Sequence, residues 1–102
     1  MGFFDRIYDF GDREVVRTHA MKIEVGLRQI ENAYDLPTIK GLSYAIKEEV
    51  HDMMMSARKL TSESLNCLDV KYRGEKIMYN EFIYILHEAS SRIVERGGYP
   101  II

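Results

Sequence analysis

Glu48 and His51 stand three residues apart. On a helix that spacing points a carboxylate and an imidazole the same way, a pair that suits iron, manganese or zinc. His87 and Glu88 are adjacent further along, so Glu48, His51, His87 and Glu88 form a candidate metal set. A dinuclear carboxylate site needs two Glu-x-x-His motifs and two further glutamates. One motif is present, so a metal-binding bundle is an alternative reading and needs a second copy of the chain to complete it.

A second group is basic. Lys71, Tyr72, Arg73 and Lys76 fall within six residues, just before an apolar helical pattern. Cations beside a helix N-terminus favour an anion, and Tyr72 offers a ring on which a base can stack. This loop is a candidate site for a small anion, a nucleotide or nucleic acid. Asp69 and Glu75 dilute its charge.

Other chemistry lacks its residues. Glu81-Phe82 after Ile77 has the outline of a calcium-loop end, but the upstream ligand positions hold Lys71, Tyr72 and Arg73. Cations there repel Ca²⁺. Glu49 and Asp52 make a Glu-x-x-Asp pair with no Glu-x-x-Glu to complete a Mg²⁺ cluster. No Gly-rich phosphate loop, Gly-x-Ser-x-Gly or His-Glu-x-x-His is present, and Cys67 has no signature of a nucleophile around it. The reading leans away from an enzyme, and no cofactor is expected.

The third group is apolar. Tyr44, Glu48, His51, Met55 and Arg58 recur at helical spacing on a line two residues out of step with the core stripe. Residues two apart on a helix differ by about 200°. An aromatic, a histidine and a methionine therefore face away from the core. At one end Phe3, Phe4, Ile7 and Phe10 load four large apolar groups into eight residues; at the other stand Tyr99, Ile101 and Ile102. Left in water such ends form an adhesive patch. They fold back over the domain or dock on another chain, in the manner of anchors at i, i+4 and i+7. Phe3, Phe4, Ile7, Phe10, Tyr44, His51, Met55, Tyr99, Ile101 and Ile102 are the candidate interface.

These groups need elements to position them. Residues 3–10 read as a short amphipathic helix stopped by Gly11. Residues 12–34 carry Val16, Ala20, Ile23, Leu27, Ile30 and Tyr34 at spacings of three and four, the stripe of a long helix. Gly26 within it marks a close helix approach. Residues 38 to about 60 repeat the pattern with Ile39, Leu42, Ile46, Val50, Met53, Ala57 and Leu60. Residues 69–76 read as a polar connection. Residues 77–96 form a third long helix on Met78, Phe82, Ile85, Ala89 and Ile93, closed by Gly97-Gly98. The expected fold is all-α: a small bundle of three main amphipathic helices plus a short N-terminal helix, one domain over residues 1–102.

A chain of 102 residues buries too little surface to be robust alone, so self-association as a dimer or higher is expected. Net charge is −2 with no basic or acidic tail, which argues against nucleic acid as a main partner. One cysteine excludes an internal disulfide and favours a reducing, cytoplasmic setting. No apolar run approaches the length of a membrane span. The function expected first is a non-enzymatic protein–protein interaction module, a regulator, inhibitor or adaptor acting as a homo-oligomeric helical bundle.

Overall fold

The computed structural model describes the backbone of residues 3–102 and the side chains of residues 11–102. Four helices and a two-stranded sheet follow in the order α1 (Phe3–Glu31), α2 (Leu36–Ala57), α3 (Ser62–Asn66), β1 (Asp69–Tyr72), β2 (Glu75–Met78) and α4 (Tyr79–Glu95). The mostly helical expectation holds; a separate short N-terminal helix and a polar connection over residues 69–76 do not, since the short helix is α3 and residues 69–78 form strands.

α1 is one helix of 29 residues where two were expected. Gly11 does not break it. A glycine inside a helix costs about 1 kcal/mol relative to alanine, too little to stop a helix with a continuous apolar stripe. Val16, Ala20, Ile23, Leu27 and Ile30 are buried as the periodicity requires. The helix ends three residues early. Tyr34, expected in the core, is 95% exposed, and Ala33 is buried in its stead.

The cause is Asp35. Its carboxylate accepts hydrogen bonds from the Thr38 N–H at 3.1 Å and the Thr38 hydroxyl at 2.7 Å. It is the N-cap of α2, and Pro37 lies in the first turn, where a proline N–H is not needed. The hydrogen bonds from Thr38 hold the Asp35 carboxyl below its ordinary pKa. The four-residue link turns α2 back along α1. Gly26 permits the crossing: a Cβ there would meet Ile46 Cγ1 at 2.7 Å.

α2 stops at Ala57. Thr61 then caps the short α3, its hydroxyl accepting from the Ser64 N–H at 3.1 Å. Residues 69–78 form an antiparallel hairpin pairing Val70 with Ile77 and Tyr72 with Glu75. Arg73 and Gly74 both take positive φ, 53° and 81°. This is the geometry of a two-residue type I′ turn, whose twist matches the strands it joins. One face of the hairpin, with Val70, Tyr72 and Ile77, joins the core.

α4 follows β2 without a loop. Its end is a Schellman motif: Gly98 N–H donates to Ile93 O at 2.9 Å and Gly97 N–H to Val94 O at 3.0 Å, with Gly97 at φ 92°. Met78, expected on its core stripe, is exposed, and Tyr79 is buried in its stead. All the elements close on a single hydrophobic core. Among the described residues no helix is long and apolar enough to cross a membrane.

Candidate functional site

After the glycine pair, residues 99–102 run back between α2 and α4. Two serines hold them. Ser43, on α2, accepts the Tyr99 N–H at 2.9 Å and donates to Lys40 O at 2.9 Å. Ser90, on α4, accepts the Ile101 N–H at 2.9 Å. Both serines are buried, and each occupies a core-stripe position. A buried N–H without a partner costs about 1–3 kcal/mol, so these hydroxyls fix where the segment lies.

Ile101 is 1% exposed and fills the space between the helices. It stood among the candidate interface residues, at an end expected either to fold back or to dock on another chain; it folds back into the core of its own chain. Its neighbours face outward. The Tyr99 ring meets that of Tyr44 edge-on, with centroids 6.4 Å apart, and both remain about half exposed, at 46% and 55%. Beside them Lys47, His51 and Met54 form an open cleft of about 310 Å³ with Pro100 and Ile102. Across the segment His87, Ser91 and Val94 form another of about 350 Å³ with the same two residues. Met55 continues the α2 face one turn beyond His51 and is also exposed. The structure thus gathers Tyr44, His51, Met55, Tyr99 and Ile102 on one surface. Phe3, Phe4, Ile7 and Phe10 lie outside the described side chains.

The basic loop is dispersed. In a strand, neighbouring side chains point to opposite faces. Tyr72 turns inward, its ring 5.9 Å from that of Phe82. Arg73 is tied to α1: its N–H donates to Glu24 at 2.7 Å and its guanidinium to Glu31 at 3.2 Å. Its guanidinium also sits 5.5 Å from the Tyr72 ring centroid. Lys71 and Lys76 pair across the strands on the outer face. The four residues expected to share one anion do not share one surface.

Glu48 and His51 are exposed on α2, and His87 and Glu88 are exposed on α4. Among the described residues no three metal-ligating side chains converge. Glu49, next to the Glu-x-x-His motif, contacts His19 of α1 instead, at 2.6 Å.

Long-range polar contacts had no counterpart in the sequence reading. Arg17 Nε donates to Asp69 O at 2.9 Å and Arg17 Nη2 to Asp69 Oδ1 at 2.6 Å, joining α1 to the first residue of the hairpin. The Arg17 hydrogen bond holds the Asp69 carboxyl below its ordinary value. A carboxyl depressed in the folded state stabilises the fold fully above its unfolded pKa of about 3.9. That contribution is lost as pH falls through the lower folded value. Asp69→Asn removes it. Acid unfolding followed by circular dichroism should therefore show a shallower dependence on pH below about 4 for Asp69→Asn than for the parent chain. Superimposable profiles would deny Asp69 this role.

Comparison with protein-family models, curated proteins and solved structures finds no match to this chain.

Proposed function

We propose that this chain is a non-enzymatic protein–protein interaction module that works as a homo-oligomer, with the surface of α2 and residues 99–102 as its contact. The observation that supports the reading is the shared surface of Tyr44, His51, Met55, Tyr99 and Ile102, flanked by two open clefts. Tyrosine and methionine concentrate at interface cores, where large side chains bury much area at little entropic cost.

The occupant we assign is a second copy. A two-fold axis makes a surface pack on itself. With α2 antiparallel to its mate and His51 on the axis, Tyr44 of each copy lies opposite Arg58 of the other, and Lys47 opposite Met55. An arginine over a tyrosine face is a favourable pair, and no like charges are forced together at those positions.

Native mass spectrometry of the full chain tests the reading. The parent should appear as a dimer or higher assembly. Met55→Lys sets a second ammonium opposite the mate's Lys47, and Tyr44→Arg a second guanidinium opposite the mate's Arg58, each twice in a symmetric contact; both should give monomer, with helical circular dichroism unchanged because both side chains are exposed. A monomeric parent, or variants that assemble as the parent does, would overturn it. A regulator, inhibitor or adaptor role follows if the same surface also captures another protein.

A further inference from the structure

A separate cleft lies on another part of the molecule, between the C-terminal half of α1, the hairpin and the C-terminal half of α4. Leu27, Ile30, Ala89 and Ile93 form its apolar floor with the ring of Tyr72, and Glu31, Arg92 and Arg96 stand among its lining. Its volume is about 190 Å³. A dry apolar cavity of about 150 Å³ accommodates benzene, so a single ring or a short acyl chain fits here.

The charges around it do not cancel. Arg96 donates to Ile30 O and Ala33 O, and so meets the negative end of α1. Glu31 is engaged by Arg73. The Arg92 guanidinium is left over: it makes no hydrogen bond or ion pair with any described residue, although the Arg92 carbonyl accepts the Arg96 N–H within the helix. It also stands four residues before Arg96 on one helix face, where like charges repel. One unpaired guanidinium beside a small apolar floor is a complement to one carboxylate carrying a compact hydrocarbon. Guanidinium and carboxylate match as two parallel hydrogen bonds.

We propose that this cleft binds a small apolar monocarboxylate, of the arylacetate or short acyl class, with its carboxylate on Arg92 and its hydrocarbon against Leu27, Ala89 and Ile93. The inference does not depend on self-association, since none of these residues belongs to the surface of α2 and residues 99–102.

Phenylacetate is the probe, and phenylacetamide its uncharged counterpart. Titrated into the ¹⁵N-labelled full chain, phenylacetate should shift the amide signals of Leu27, Tyr72, Ala89 and Arg92 in a saturable way. Phenylacetamide should bind about tenfold more weakly or worse, because a charged hydrogen bond is replaced by a neutral one. Arg92→Gln should weaken phenylacetate by about the same factor and leave phenylacetamide unchanged, while Arg92→Lys should recover only part of the loss. The Arg92 guanidinium supports no internal contact, so both variants should keep the parent spectrum elsewhere. Equal binding of acid and amide, indifference to Arg92→Gln, or no saturable shift at these residues would each overturn the proposal.

Discussion

Replacing Ile101 by alanine is expected to lower the unfolding free energy by about 2–5 kcal/mol, although Ile101 lies outside every helix and strand. The side chain is 1% exposed and sits in the single core cluster. Removing its outer carbons leaves a cavity between α2 and α4 that neither helix can close, because the backbone of residues 99–101 is pinned to Ser43 and Ser90. A domain of this kind has about 5–15 kcal/mol in total, so the variant loses a large part of it. Ser90→Ala should cost about 1–3 kcal/mol by orphaning the Ile101 N–H. The double variant should lose less than the sum, since both changes release the same segment. Ile102→Ala, at a half-buried position, should cost clearly less than Ile101→Ala. Urea denaturation of the parent and the four variants decides it. A loss below about 1 kcal/mol at Ile101, or strict additivity with Ser90→Ala, would mean that the segment is not seated as described.

What the sequence made legible is what local periodicity encodes. Ile39, Leu42, Ile46, Val50, Met53, Ala57 and Leu60 follow a helical period; Leu42 is partly buried and the others are buried. The period depends on neighbours along the chain, so it survives without knowledge of the fold. The hairpin was hidden because its strands have four residues each, too few for alternation to stand out from charge. Val70 and Tyr72 alternate with Lys71, and Arg73-Gly74 supplies the turn, but the polar content masked the pattern. That one omission scattered the basic loop, since residues adjacent in a strand share no face. Ser43 and Ser90 carried a readable signal: each falls at a position where the stripe calls for an apolar residue. A serine there asks which backbone group it serves. The answer, residues 99 and 101, lies 56 and 11 positions away. The contact of Arg17 with Asp69 spans 52 positions and leaves no trace in any local spacing.

Arg96→Ala is expected to cost about 2–3 kcal/mol and to loosen the junction between α1 and α2. The last carbonyls of a helix have no intrahelical donor and need one from elsewhere. Where α1 ends, the Ala33 N–H supplies one for Ile30 O at 3.2 Å, and Arg96, at the C-cap of α4, adds Nη1 at 2.8 Å from Ile30 O and Nη2 at 2.6 Å from Ala33 O, the latter just past the helix. Its charge also meets the negative end of the α1 dipole. One side chain thus ties the end of α4 to the turn between the first two helices. The shape of the donor matters as much as its charge. A lysine reaches with one ammonium and cannot span two carbonyls as the planar fork does, so Arg96→Lys should recover less than half of the loss. Hydrogen exchange should localise the effect, with faster exchange at Asn32 and Ala33, whose N–H groups close the last turn of α1 on Gln29 O and Ile30 O. Exchange at Leu86, in the middle of α4, should follow global stability alone. If Arg96→Lys matches the parent, the contact is one of charge and the two-carbonyl clasp has no energetic role. If Arg96→Ala changes neither stability nor exchange at the turn, water satisfies those carbonyls as well as the guanidinium does, and the close of α1 rests on Asp35 and the packing of Ala33.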